Sequence, residues 1–165
     1  MTQPLNVVPA PKEIATGVRA PETIAEGLTN VLADTYRLTF KTHAYHWNVE
    51  GPLFYSIHNL TDGQYENMFA AADELAERIR AIGQMAPMTM AEIMEKSVIE
   101  DDTDKLTAGQ MCQILADDHE RLAHRLHALI EVSGKQNDPV TEDLATARSA
   151  FHEQAAWMLK ALVTQ

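Results

Sequence analysis

Apolar side chains recur at intervals of three and four residues along most of the chain, which is the spacing of one face of an α-helix. The first such stretch follows Pro21, which fits the first position of a helix, and reaches about Val49 before Gly51 and Pro52 stop it. Its apolar face consists of Ile24, Leu28, Val31, Leu32 and Leu38. The pattern therefore predicts a long first helix.

Three later stretches have the same periodicity. Ser56 is positioned to cap a second helix that ends at Gly83, and Thr107 is positioned to cap a third that ends at Gly134. A fourth helix is predicted over residues 140–163. Its predicted inward face consists of Leu144, Ala147, Phe151, Ala155, Met158 and Leu162.

The connection between the second and third predicted helices is long, and it contains one short helical candidate within residues 87–97. Four long helices with one long middle connection predict an all-α, ferritin-like four-helix bundle with a short extra helix in that connection. We assign residues 21–165 to this single domain. Residues 1–20, which contain three prolines, are expected to form an irregular N-terminal extension.

Charge and cysteine content indicate an acidic protein without a disulfide framework. The 165-residue chain carries 24 Asp and Glu against 13 Lys and Arg, for a formal net charge of −11. Its single cysteine, Cys112, excludes a disulfide framework within the chain and a cysteine-rich metal site. We find no secretory signal and no apolar run near the roughly 18 residues of a membrane span. We therefore expect a soluble cytoplasmic protein without a membrane partner, with association with the nucleoid left open.

One face of the second predicted helix is acidic, with a histidine at its start. It consists of His58, Asp62, Glu66, Asp73 and Glu77. These spacings keep all five residues within about 100° of one another around the helix. Most such stripes are solvated faces, but no Lys or Arg lies between Lys41 and Arg78 to neutralise this one. Carboxylate and imidazole ligands without thiolates suit a divalent first-row ion such as iron, manganese or zinc.

The length of the helix limits how these ligands combine. Asp62 and Asp73 are 11 residues apart, which places them roughly 16 Å apart along the axis, whereas paired metals lie about 4 Å apart. Either the chain has two separate weak sites or one site is shared between subunits. An antiparallel pairing of two such helices near residue 67 would place His58 and Asp62 of one chain against Asp73 and Glu77 of the other. The Glu-x-x-His pairs of an intrachain di-iron bundle do not occur in the sequence.

A longer motif includes the acidic face and the end of the first predicted helix. It comprises His46-Trp47-Asn48-Val49-Glu50-Gly51, Phe54, His58, Asp62-Gly63, Asp73 and Ala76-Glu77-Arg78. This motif resembles the signature of the Dps family, the DNA-binding proteins from starved cells, without insertions between the histidines and carboxylates. The resemblance implies a ferritin-like bundle that assembles as a hollow homo-oligomer of twelve subunits.

The resemblance also implies an activity and a ligand set. In the family, Fe(II) is oxidised, preferentially with hydrogen peroxide and otherwise with oxygen, at a two-iron ferroxidase centre on the two-fold interface, and Fe(III) is stored in the shell. His46, His58 and Asp62 correspond to ligands from one subunit, and Asp73 and Glu77 to ligands from its neighbour. Zinc is a candidate substitute for iron in this centre.

Three further residues receive two interpretations each. Trp47 corresponds to an aromatic neighbour of the centre in the family, and it equally fits an ordinary core or interface tryptophan. Asp143 corresponds to an acidic position of a three-fold entry pore, and it equally fits a helix N-terminal acid. Glu66 lies midway between the ligand pairs, where it would add a ligand or face the two-fold partner.

The motif leaves the DNA-binding part of the family's function in doubt. The first 20 residues contain only Lys12 and Arg19, and Lys160 is the last cation of the chain. Phosphate binding needs several cations on one accessible patch, so we predict weak or absent DNA binding. The alternative functions are a nucleoid-binding protection protein with secondary iron chemistry and a non-catalytic metal buffer.

The remaining histidines carry weaker predictions. His43 precedes His46 by one turn and is expected beside the centre or on the surface. His119, His124 and His127 alternate with arginines on the third predicted helix, which favours a solvated, ion-paired face. The sequence assigns no role to His152.

Overall fold

The computed structural model describes residues 4–102 and 105–164. Its helices are α1 (Pro21–Asn48), α2 (Phe54–Ala81), α3 (Met90–Lys96), α4 (Ala108–Lys135) and α5 (Pro139–Val163). A short 3-10 turn, Pro4–Asn6, precedes them, and the described residues contain no strand. This order confirms the predicted all-α fold with a short helix in the long connection. The remaining residues of the predicted extension and domain, 1–3, 103, 104 and 165, lie outside the described part.

Local signals explain where α1 and α4 begin. Pro21 occupies the start of α1, and the Thr107 side chain caps α4 by accepting a backbone N–H three residues further on. The predicted cap Ser56 is wrong, because α2 begins at Phe54. Gly51, with φ of 111°, turns the chain, and its carbonyl accepts from the Phe54 amide at 3.0 Å. This turn starts the helix three residues before the expected first residue, Ile57.

The bundle interior is filled by large aliphatic side chains. α1 packs against α2 and α4, and α4 packs against α5. The largest fully buried residues are Ile24, Leu28, Leu38, Ile57, Met68, Leu75, Ile79, Ile99, Leu115, Leu122, Leu126 and Leu159. None of the helices in the described ranges is long and apolar enough to cross a bilayer.

The inward face of α5 differs from the predicted one. Ala155 is buried as predicted, whereas Met158, which the pattern placed inward, is 38% exposed. The other buried residues of this helix include Ala145, His152, Ala156 and Leu159. Alanine and histidine give a weak hydrophobic signal, so the larger side chains one position away determined the prediction. The corrected face places a histidine in the bundle core.

The prediction of a solvated face is wrong for His119 and holds for His124 and His127. His119 is fully buried, and its Nδ1 lies 2.8 Å from Nδ1 of His152 on α5. Leu115 and Leu122 lie four residues before and three after His119, so the residue belongs to the apolar face of α4. A buried histidine pair therefore joins α4 to α5.

Buried carboxylates attach the long connection to the bundle. Asp34 on α1 accepts from the Ser97 hydroxyl and the Val98 amide, both at 2.8 Å, and from Arg125 of α4 at 2.7 Å. Two turns further along α1, Lys41 is bound to Asp118 at 2.7 Å and to a carboxylate of the connection at 2.9 Å. These bonds fix the chain between α3 and α4 along α1.

The N-terminal segment packs against the end of α2 at Gly83. The amide of Lys12 donates to the Gly83 carbonyl at 2.8 Å. Gly83 has φ of 85°, and a Cβ there would lie 2.0 Å from the Lys12 carbonyl oxygen. Glycine is therefore required at this contact. α2 itself ends at Ala81, two residues before the predicted end.

Candidate metal centre

His46 and His58 hold each other in place across the α1–α2 turn. Nδ1 of His46 donates to the His58 carbonyl oxygen at 2.9 Å, and Nδ1 of His58 donates to the His46 carbonyl oxygen at 3.0 Å. The two rings stack with centroids 3.7 Å apart. A carbonyl oxygen only accepts, so each Nδ1 carries a proton, and in the neutral imidazole each Nε2 keeps its lone pair. Both imidazoles are thus fixed in the tautomer that can ligate a metal through Nε2.

Asp62 follows His58 by one turn of α2 and faces the same pair. Its Oδ1 lies 3.9 Å from Nε2 of His46. One ion with bonds of about 2.1 Å can contact two atoms at this separation. The structure therefore places two of the predicted ligands, His58 and Asp62, each close to a third, His46.

Asp73 and Glu77 remain apart from these three residues. Both are exposed on the C-terminal half of α2, and 11 residues of helix separate Asp73 from Asp62. Within the described part of one chain, no three His, Cys, Asp or Glu side chains are grouped to hold a metal ion. Arg78, the nearest cation in sequence, points to α5, where it binds Asp138 at 2.6 Å. The Asp73 and Glu77 carboxylates are therefore not neutralised by Arg78.

An apolar groove lies beside α1 and α2, between the two ligand groups. It has a volume of about 500 Å³, and its lining includes Tyr36, Phe40, Phe69, Met90 and Met94. All five side chains are exposed, Phe40 and Phe69 by 65% and 64%. Contiguous exposed apolar surfaces of this kind are typical of interaction sites. Sequence periodicity did not identify it, because single exposed aromatic residues on a helix are common.

A second feature that the sequence prediction missed is Tyr65. Its hydroxyl donates to Oδ1 of Asp62 at 2.7 Å, and this carboxylate raises the pKa of Tyr65. Its ring stacks on His43 with centroids 4.0 Å apart, and His43 in turn contacts Trp47 at 4.0 Å. His43 therefore lies beside the candidate centre, as one of its two interpretations proposed. The spacing of three residues between Asp62 and Tyr65 was the available signal.

The other three candidates lie on the surface of the single chain. Trp47 is 56% exposed, which rules out a place in the core of this chain. Glu66 is exposed next to Tyr65 on α2, and Asp143 is exposed near the start of α5. Their roles stay predictions.

The helix order and the long connection define a ferritin-like bundle, and comparison with known proteins specifies the family. The family model for the ferritin-like domain matches residues 25–165. DNA protection during starvation protein 2 of Bacillus anthracis is 34% identical over 142 residues, which cover 86% of this chain and 97% of that protein.

Solved structures agree with this comparison. A Dps from Vibrio cholerae O1, described as a ferritin-like diiron-carboxylate protein, superposes with a TM-score of 0.86 at 26% identity, covering 95% of this chain and all of that one. The Dps of Listeria innocua, soaked with zinc, gives a TM-score of 0.81 at 31% identity and covers 85% of this chain and 95% of that one. The chain therefore belongs to the Dps family of ferritin-like proteins.

Proposed function

We propose that this protein oxidises Fe(II), stores the Fe(III) product and thereby protects DNA and the cell from oxidative damage. The observation that carries the proposal is the reciprocal bonding of His46 and His58, which leaves both Nε2 atoms able to bind a metal beside Asp62. Membership in the Dps family supports iron storage and DNA protection as the general role. Iron is the substrate and the cargo of this reaction.

The complete centre is proposed to form between two subunits. His46, His58 and Asp62 of one chain would face Asp73 and Glu77 of its two-fold neighbour, and the resulting pair would contain two equivalent centres. The exposed apolar groove supports this arrangement, since it lies on α1 and α2 between the two ligand groups. Burial of the groove in a two-fold contact would remove the aromatic side chains from water and bring the ligands together.

The proposed reaction uses two ferrous ions per peroxide. Each Fe(II) gives up one electron, and hydrogen peroxide takes up two electrons and two protons to form two water molecules. Two neighbouring ions supply both electrons at once, whereas a lone ferrous ion would release a hydroxyl radical. Oxygen is the second candidate oxidant. Zinc is proposed as a substitute ion because imidazole and carboxylate ligands suit it, and a related Dps was soaked with zinc.

The whole assembly is proposed to be a dodecameric shell in the cytoplasm. Twelve chains at −11 each would give a net charge of about −130 before metal binds, which concentrates cations around the particle. Asp143 is proposed to line the entry pore for ferrous ions, and Glu66 to face the two-fold partner or add a ligand.

A double substitution tests the centre. The protein is loaded with Fe(II) without oxygen, peroxide is added, and ferric absorbance is followed. We expect the His58→Ala/Asp62→Ala variant to lose the fast phase, because two of the proposed ligands are gone. The matched control is His127→Ala/Glu153→Ala, which removes an exposed histidine–carboxylate contact of 2.9 Å between α4 and α5. Unchanged kinetics in the first variant would remove these residues from the mechanism.

A further inference from the structure

The Asp62 side chain is oriented by a side-chain hydrogen bond, whereas the two histidines of the candidate centre bind backbone carbonyls. The histidines are fixed by each other's backbone, whereas the Asp62 side chain is 48% exposed and extends from the surface of α2. Among the described residues, its hydrogen bond comes from Tyr65. Without that bond, the carboxylate would be free to rotate into solvent.

Tyr65 is itself fixed from two sides. Its ring lies nearly parallel to the His43 ring, with an interplanar angle of 20°, and meets the His46 ring edge-on at 5.2 Å. The phenol oxygen therefore has a position set by ring packing. A hydrogen bond from such a donor selects one carboxylate orientation, and here it selects the one with Oδ1 3.9 Å from Nε2 of His46.

The bond leaves the carboxylate able to bind metal. An ionised carboxylate has about four lone-pair sites, of which the Tyr65 hydroxyl uses one. In other metal sites, a group that hydrogen-bonds to a metal ligand also orients that ligand. Loss of such a group typically weakens metal binding by 10–100-fold. We propose that Tyr65 is the positioning residue for Asp62, which it holds toward the His46–His58 pair. This inference rests on the proposed metal centre and adds a determinant of its affinity.

The test measures metal affinity without turnover. Co(II) is titrated into the assembled protein, and both calorimetry and visible absorption follow its binding. Tyr65→Phe removes the hydroxyl and keeps the ring. We expect the affinity for Co(II) to fall by about 10–100-fold, with the melting temperature and the size of the assembly unchanged.

The matched control is Tyr45→Phe. Tyr45 also donates its hydroxyl to an aspartate, Asp102, at 2.9 Å, but it lies outside the candidate centre. Its substitution should leave the Co(II) affinity unchanged. A purely structural effect of losing a phenol hydroxyl would weaken both variants alike and would overturn the proposal.

A double-mutant cycle separates the positioning role from the existence of the site. If Tyr65 acts through Asp62, Tyr65→Phe has no further effect on Co(II) binding in an Asp62→Ala background. Wild-type affinity in Tyr65→Phe, together with a loss in Asp62→Ala, would overturn only the role of Tyr65. An affinity that Asp62→Ala leaves unchanged would overturn the metal centre and the role of Tyr65 together.

Discussion

The His46–His58 and His119–His152 pairs differ in their hydrogen bonds, and this difference determines whether their outer nitrogens are accessible. His46 and His58 donate to backbone carbonyls, so their outer nitrogens remain available at the edge of the bundle. His119 and His152 bind each other inside the bundle, and their Nε2 atoms are buried without a protein partner. The first pair suits a metal ion. The second pair is a neutral element of the core that a proton would disrupt.

The buried pair predicts a loss of stability in mild acid. Burial, with a further contribution from the Arg148 guanidinium, lowers the pKa of His119 to about 3, and burial lowers the pKa of His152 as well. An unfolded histidine has a pKa of about 6.5. Below that pH, the unfolded chain takes up protons that the folded chain does not, so the free energy of unfolding falls as the pH falls from about 6.5 toward 3. Above pH 6.5 the contribution of the pair is fully present.

Urea unfolding between pH 7.5 and 5 measures this effect. The expected slope is up to about 1.4 kcal/mol per pH unit for each histidine. Replacement of both residues by glutamine should reduce the slope, whatever its effect on stability at pH 7.5. His124→Gln, on the exposed side of α4, should leave the slope unchanged. Equal slopes in the wild type and the double variant would contradict the prediction.

At the scale of whole elements, the positions of the helices can be predicted from the sequence. Each long helix has apolar residues at helical spacing and residues near its termini that favour a start or an end. Thr107 and Pro21 act locally, and both were placed correctly. Ser56 and the face of α5 were misplaced, since a turn closed by Gly51 and a core face of alanines and a histidine give weak local patterns. Local sequence patterns therefore predict the order of the helices more reliably than they predict which side of each helix is buried.

The contacts that assemble the site join elements far apart in sequence. The spacing of His58 and Asp62 on one helix predicted their proximity, and the family resemblance added His46. The carbonyl bonds between His46 and His58 depend on how α1 packs on α2, which no periodicity specifies. The stacking of Tyr65 on His43 has the same origin. The sequence thus indicated candidate ligands, and the packing shows how His46 and His58 are oriented.

At the scale of the whole molecule, the charge distribution predicts weak binding to DNA. Several of the cations in the described chain already have carboxylate partners: Arg37, Lys41, Arg78, Arg121, Arg125, Lys135 and Lys160. Phosphate contacts would have to compete with these ion pairs and with the overall charge of −11.

A gel-shift titration at low salt and neutral pH, without divalent cations, tests this expectation. We expect no discrete complex at micromolar protein. Fusion of a lysine-rich N-terminal tail provides the positive control, because it adds the missing cations without altering the bundle. A tight, salt-sensitive complex of the unmodified protein would contradict the prediction.

The central claim is that each centre takes ligands from two chains, and co-assembly of two inactive variants tests it most directly. One variant carries His58→Ala/Asp62→Ala and the other carries Asp73→Ala/Glu77→Ala, so each alone lacks part of every centre. In shells assembled from equal amounts, half of the two-fold pairs are mixed, and each mixed pair has one intact centre of two. The account predicts recovery of about a quarter of the wild-type fast phase of peroxide-driven Fe(II) oxidation. Mixed shells that are no faster than the separate variants would contradict it.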